Sequence, residues 1–304
     1  MVVRLIGDMR GSLDLPYPPP ELMNRVCSLD GYGDPVAAYE RLGTEARDAL
    51  LLDLLPAGWG FGGKRVLDFG CGAGRTLRQF IAEATSHAEF WGADIDAASI
   101  EWLRQKLSPP FNVVKCNDDP PLGLDPGSFD LIWALSVFTH LTDNSLPWLL
   151  ELHRLLRPGG FLVATYMGRY NSEVFTHEQW NEDRIGMNVL RRNQGWDEGG
   201  PMVLMSDWWV RARWGRAFEF LKEAVVHGQS WVLLRKRDVE VSLPDLARPG
   251  DDPREYEALR HNLRQVERDA ELALAEVRAT YEGSLSWRVT RPLRRLSRRI
   301  RAPR

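Results

Sequence analysis

Residues Val66 to Arg75 read VLDFGCGAGR, an apolar run that delivers the chain to Gly70, Gly72 and Gly74 just before a helical pattern begins. Glycines at this spacing permit a tight turn and let a ligand approach the backbone closely. The N–H groups at a helix start favour an anionic group such as a carboxylate. The loop is G-x-G-x-G with Asp68 before it, and Arg75 stands where a dinucleotide-binding G-x-G-x-x-G loop needs its third glycine. A second acid, Asp94 in FWGADID, closes the next apolar run, where a carboxylate can accept hydrogen bonds from both hydroxyls of a ribose. Asn117 and Asp118 follow the third run and are equally suited to contacting a ligand or to making a turn. His140, in ALSVFTHL after the fourth run, has the residue type of a general base, with an ordinary pKa of about 6.5. Its plainer role is to hydrogen-bond a loop or cap the next helix. Tyr166, at the end of the fifth run, is a weaker candidate to line the same site.

These residues need elements that bring them to one edge. A helical pattern runs from about Pro35 to Leu55, with Ala38, Leu42, Ala46, Leu50 and Leu54 on one face, and AGWGFGG breaks it. Strand and helix then alternate: RVLDF, TLRQFIAEA, AEFWGADID, AASIEWLRQKL, FNVVKC, FDLIWALSVF, SLPWLLELHRLL, an RPGG turn and FLVATYM. Such alternation predicts a parallel sheet covered by helices on both faces. Right-handed crossovers make it a Rossmann-like, doubly wound α/β fold. AFEFLKEAVV and QSWVLLRKR are expected to close a mostly parallel seven-stranded sheet as an antiparallel pair, and SDWWVRARWG to form a short helix. The reading divides the chain into an N-terminal extension and helix (1–55), the α/β domain (56–238), a linker (239–252) and a C-terminal helical extension with an arginine-rich tail (253–304). Residues 168–206 lack clear periodicity and form an insertion on the side of a second substrate.

The loop with its acid, Asp94, and the pair FDLIWALSVFTHL and ELHRLLRPGGFLVATY resemble the class I methyltransferases that use S-adenosylmethionine (SAM). The resemblance implies SAM as cofactor, held by Asp68, Gly70, Cys71, Gly72, Gly74, Asp94, Ile95, Asn117, Asp118 and Ser136. His140 and Tyr166 are its catalytic candidates. Enzymes that methylate nucleic-acid amino groups carry an Asn/Asp-Pro-Pro-aromatic motif after the fourth strand; here that position reads ALSVFTHL, so nucleic acid is not the expected acceptor. PPPELMNRV together with SVFTHLTDNSLPWLLELHRLLRPGG resembles bacterial methyltransferases encoded among surface-polysaccharide genes, and SLSWRVTRPLRRL resembles the tails of glycosyltransferases acting on lipid-linked glycans. Both imply O-methylation of a sugar hydroxyl of a surface glycan or its precursor. Two other readings stand beside it. A flat small-molecule acceptor of specialised metabolism would stack on Trp180, Trp196, Trp208 and Trp209, with His177 and Asp197 nearby. A non-catalytic adaptor for a glycosyltransferase assembly would use the C-terminal helix instead.

That helix carries Tyr256, Leu259, Leu263, Val266, Ala270, Ala273 and Val277 in alternating steps of three and four, a short coiled-coil seam. It serves either a homodimer or glycosyltransferase partner, or packs back on the core. From Gly283 onward the chain holds arginines and no acid, interleaved with Trp287, Val289, Leu293, Leu296 and Ile300. The readings of this tail are solvated charge, an anionic membrane surface or, less favoured, nucleic acid. A hydrophobic share of 44% suits a globular core, and three scattered cysteines fit neither a disulfide framework nor a zinc site. With no signal-like start and no apolar run of about 18 residues, the expected location is the cytoplasm, peripheral at most to the inner face of the membrane. No metal site is expected.

Overall fold

The computed structural model of the chain describes residues 15–26, 33–176, 179–192, 194–195 and 199–290. His177, Trp196, Asp197, Cys27 and the arginines from Arg291 onward lie outside the described residues.

Among the described residues, two helices precede the sheet. Helix α1 (Pro20–Val26) follows the extended Leu15–Pro19 stretch. Helix α2 (Pro35–Leu54) starts where Asp34 accepts the backbone N–H of Val36 and Ala37 and Pro35 takes the first helical position. The sheet then builds as β1 (Arg65–Phe69), α3 (Ile81–Ser86), β2 (Glu89–Asp94), α4 (Ala97–Lys106), β3 (Asn112–Lys115), β4 (Phe129–Ala134), α5 (Ser145–Leu155) and β5 (Leu156–Tyr166). The helix expected to start at once after the glycine loop is preceded by a turn and a short 3-10 segment, Leu77–Phe80. The RPGG expected as a turn lies within β5.

The remaining elements are α6 (Arg169–Thr176), β6 (Met187–Leu190), β7 (Met202–Met205), α7 (Asp207–Trp214), β8 (Phe218–Val226), β9 (Gln229–Lys236), α8 (Leu243–Ala247), α9 (Arg254–Gly283) and α10 (Leu285–Val289). The main sheet has seven strands in the order β3-β2-β1-β4-β5-β9-β8. β1 to β5 run parallel, and β8 and β9 join antiparallel through a two-residue turn in which His227 and Gly228 both take positive φ. The strand order reverses between β1 and β4, which opens a crevice at their carboxyl ends.

Alternation along the strands sorts side chains to two faces. Leu67, Phe69, Ile132, Ala134, Leu162 and Ala164 pack with Trp148, Leu149 and Leu152 of α5. Val66, Leu131, Trp133 and Val163 pack with Leu50, Leu51 and Leu54 of α2 and with Phe80 and Phe90. Asp130, at the start of β4, is buried and takes hydrogen bonds from Lys64 Nζ and the Arg65 backbone as well as an ion pair from Arg157, so the strand's one charge is fully paired.

Three segments show structure that the sequence reading missed or left open. The insertion folds: β6 and β7 form a separate two-stranded sheet, docked where Val203 N donates to Thr139 O (2.8 Å) and Met205 N to Met167 O (2.8 Å). The stretch read as a linker contains α8, whose Ser242 and Asp245 form a capping box and whose Leu246 is fully buried. Helix α9 packs back on the core, and not through its heptad seam. Ala258 is buried beside Gly186, Asn262 Oδ1 accepts Val189 N (3.0 Å), Gln265 Oε1 accepts Asn188 Nδ2 (2.7 Å), and Glu255 pairs twice with Arg213. Tyr256, Leu259, Leu263 and Val277 of the seam face solvent. The polar residues win because the open edge of β6 offers backbone donors that need partners.

If residues 239–252 belong to the folded domain, Leu246→Ala should lower the unfolding free energy by about 2–5 kcal/mol in urea titrations. A loose linker would give no change.

Candidate functional site

The carboxyl ends of β1, β2 and β4 surround a cleft of about 510 Å³, whose lining includes Asp68, Gly70, Cys71, Gly72, Asp94, Ile95, Asn117, Asp118, Ser136 and His140. The strand reversal and the predicted ligand residues thus fall together.

The glycine loop is fixed from three sides. Gly70 N and Cys71 N donate to Ala93 O at 2.8 and 3.1 Å, Gly72 N donates to Asp94 Oδ2 at 2.7 Å, and the Tyr39 hydroxyl of α2 donates to Ala73 O at 3.0 Å. Gly70 has φ +81°, and a Cβ there would stand 2.3 Å from Val137 Cγ2, so both conformation and space require glycine. Gly74 plays a different part from the one expected. It does not line the cleft; it has φ +82°, and a Cβ would stand 2.7 Å from Leu103 Cδ2, so it seats the loop on α4.

Asp94 is the hub of the crevice. Its Oδ2 accepts Gly72 N and its Oδ1 accepts Asp96 N at 2.8 Å. A carboxylate offers about four lone-pair sites, so Asp94 keeps capacity beyond these backbone donors, as an acid that receives ribose hydroxyls requires. Burial raises its pKa, and the backbone donors of Asp96 and Gly72 oppose that rise. Asp96 itself caps α4, accepting the Ser99 backbone N–H at 3.1 Å.

Asp68 is buried beneath the loop. Burial pushes its carboxyl up to about 7, the Trp133 indole opposes the rise, and the Asp94 charge adds to it. Neither Asp68 Oδ2 nor the Trp133 indole N–H completes a hydrogen bond, and Arg75 Nε is also buried without one. A buried carboxylate oxygen and a buried guanidinium nitrogen, each without a hydrogen bond, flank one end of the cleft. They fit an ammonium and a carboxylate, the two charges of an amino acid.

The opposite wall comes from β4 onward. Ser136, at φ +58°, donates its backbone N–H to Thr165 Oγ1 (2.7 Å), and its hydroxyl is bonded to Gln229. The Asp118 carbonyl accepts Asn144 Nδ2 (2.7 Å) and Trp148 Nε1 (2.8 Å), which ties the strand β3 loop to α5. His140 lines the cleft with Nδ1 2.7 Å from Pro201 O, at the foot of the β6–β7 insertion. That contact makes Nδ1 the protonated nitrogen of the neutral ring and Nε2 the basic one. Burial lowers the pKa below the ordinary histidine range. Cys71 and Cys116 line the cleft as thiols, both shifted upward by burial.

Tyr166 is not part of this cleft, contrary to expectation. Its hydroxyl donates to Asp207 Oδ1 (2.8 Å) beside a smaller cavity, and burial with the Asp207 charge holds its pKa far above the usual phenol value. The aromatic platform expected from the insertion is also missing among the described residues. Trp180, Trp208 and Trp209 are buried in the core, with Trp208 Nε1 bonded to Glu182 O and Arg213 stacked over Trp209. Arg25, Asn144 and Trp148 line the cleft without having been anticipated. Trp148 lies in a helix read as structural and Asn144 just before it, and Arg25 reaches the cleft only through a contact distant in sequence.

Residues 67–162 match a family model described as a methyltransferase domain. The chain is similar to phthiotriol/phenolphthiotriol dimycocerosates methyltransferase 1 of Mycobacterium ulcerans, at 27% identity over 43% of this chain and 46% of that one. It is also similar to 2-methyl-6-phytyl-1,4-hydroquinone methyltransferase of Synechocystis, at 32% identity over 37% and 33%. The chain thus spans less than half the length of these curated relatives. A solved protein from Pyrococcus horikoshii shares the fold with a TM-score of 0.50 at 15% identity, covering 70% of this chain and 98% of that one. The domain match falls on the strands and loops that build the cleft, and the glycine loop and paired acids at its edge fit S-adenosylmethionine as cofactor.

An ammonium arriving at Asp68 favours the ionised carboxyl, so binding must release the proton held below about 7. Calorimetry with S-adenosylhomocysteine should show affinity rising with pH up to about 7 and levelling above it, and Asp68→Asn should flatten that rise. In the ligand-free protein the same raised pKa has the opposite consequence. Asp68 costs no stability below its unfolded value of 3.8, and the cost grows as pH rises toward 7.

Proposed function

We propose that the protein is a SAM-dependent O-methyltransferase whose acceptor is a sugar hydroxyl of a surface glycan or its precursor. The observation that carries the O-methyl reading is His140, held in the cofactor cleft by the Pro201 carbonyl with its ring neutral at pH 7. A hydroxyl needs a base as it attacks, and a neutral imidazole can take its proton. The resemblance of PPPELMNRV and SVFTHLTDNSLPWLLELHRLLRPGG to polysaccharide-linked methyltransferases supports the sugar acceptor.

The cofactor supplies an electrophilic methyl group on its sulfonium sulfur. Asp94 and the Gly70–Gly72 backbone hold its nucleoside, Asp68 and Arg75 its amino-acid end, and Asn117 or Asp118 its base. Ile95 and Ser136 complete the walls. His140 Nε2 would accept the acceptor's proton as the hydroxyl oxygen bonds to the methyl carbon and the carbon–sulfur bond breaks, its electron pair leaving on sulfur as the neutral thioether S-adenosylhomocysteine, and the imidazolium would later return the proton to water. Alignment of the acceptor is the larger task in such a displacement. It falls to the insertion, because Gly199 lines the cleft and Pro201 orients the base. The intact cradle favours an enzyme over an adaptor, and among the described residues Trp180, Trp208 and Trp209 are buried and offer no platform to a flat acceptor.

His140→Ala should lower kcat about a hundredfold with affinity for S-adenosylhomocysteine within about twofold of the parent. The wild-type rate should stay level down through pH 7 and fall only below the ordinary histidine pKa of 6.5, because burial lowers this one. An unchanged rate in the variant would make the histidine structural. Methyl transfer from labelled SAM to at least one member of a panel of nucleotide sugars and glycans is expected, and transfer to none would contradict the sugar acceptor.

A further inference from the structure

The N-terminal segment is attached to the back of the cofactor loop by an unusual contact. Arg78, in the 3-10 segment after the loop, is fully buried. Its Nη1 donates to Pro16 O at 3.1 Å and its Nη2 to Leu15 O at 2.9 Å, and its guanidinium lies 4.1 Å from the centre of the Tyr17 ring. The Tyr17 hydroxyl donates to Glu40 of α2 at 3.2 Å. Burying a guanidinium is costly unless its donors find partners; here the main chain of residues 15 and 16 takes two of them, and Nε lies 3.8 Å from Glu40 Oε2.

From this anchor the chain enters α1. Met23 is buried against Ala38 and Tyr39, and Tyr39 holds the Ala73 carbonyl of the glycine loop. At the far end of α1, Arg25 lines the cleft and pairs with Asp96, the residue that caps α4 and whose N–H is held by Asp94. The segment therefore begins behind the loop and ends beside the strand end that carries the ribose acid. Its two attachments differ in kind. Arg78 has no exposed surface, whereas the Arg25 side chain is 49% exposed. An ion pair that exposed is weak and screened by salt, so it can open and close while the anchor stays fixed.

We propose that residues 15–26 form a strap closing the nucleoside end of the cleft, with Arg78 as its anchor and Arg25 as its latch. This rests on the reading of the cleft as a SAM site. Arg25 is a positioning residue: it acts through Asp96 and the wall around Asp94, and it shields that end of the cleft from water. The strap gives the cofactor a route in and out that leaves the glycine loop undisturbed.

The test uses the full chain, S-adenosylhomocysteine as ligand, calorimetry and hydrogen-exchange mass spectrometry. The ligand should slow exchange in residues 15–26 as well as around Gly70–Arg75. Arg25→Ala should weaken binding about fivefold and remove the ligand-induced protection of 15–26, and Arg25→Lys should restore most of both. Tyr17→Ala spares the buried arginine and should raise exchange in 15–26 of the ligand-free protein. Wild-type affinity and undiminished strap protection in Arg25→Ala would overturn the strap while leaving the SAM site standing. Unchanged exchange in Tyr17→Ala would overturn the anchor. Failure of the wild type to bind the ligand would overturn both the strap and the site.

Discussion

One hydrogen bond organises the functional half of this molecule: Gly72 N–H to the Asp94 carboxylate. It joins the loop after β1 to the end of β2 across the point where the sheet opens. With it, a flexible glycine turn becomes a fixed cradle, and the acid that would receive a ribose is aimed by the same backbone that would receive the rest of the nucleoside. Charge-assisted bonds to backbone donors are among the stronger ones available, and this one is largely sheltered from water. Much of the surrounding packing serves it. Gly70 and Gly74 allow the turn and its seat on α4, Tyr39 holds the loop from behind, and the fully buried β4 sets the opposite wall.

The two sides of the cleft are built differently. The cofactor side rests on strand ends and on a loop with little freedom to move. The opposite side, where the proposed reading puts the acceptor, rests on an insertion whose small sheet is attached to the core by a few backbone hydrogen bonds and by α9. That attachment ties the insertion to the rest of the domain. It also gives α9 a use within the domain: Asn262 and Gln265 cover the edge of β6, and so support the hairpin whose far end orients His140.

Most of the sheet was legible in the sequence, because the strands that flank the cleft are buried on both faces and read as short apolar runs. The loop, Asp68, Asp94 and His140 were legible because each ends such a run. What escaped has physical reasons. MNVL and MVLM are four-residue runs too short to show alternation, so the β6–β7 hairpin read as a loop. The heptad seam of α9 pointed to the wrong face, because the hydrogen bonds of Asn262 to the β6 backbone and of Gln265 to the Asn188 side chain outweighed apolar spacing. Tyr166 ends a strand like the residues that line the cleft, but it sits one strand beyond the reversal, where α7 supplies Asp207 as its partner. Arg25 is joined to Asp96 only by tertiary structure.

A crystal structure of the protein with S-adenosylhomocysteine tests the central claim most directly. The account predicts the ribose hydroxyls on the two oxygens of Asp94, with the Gly72 N–H still in place, and the ligand's amino group beside Asp68. A ligand bound elsewhere, or an Asp94 carboxylate that turns away from both ribose and loop, would contradict it.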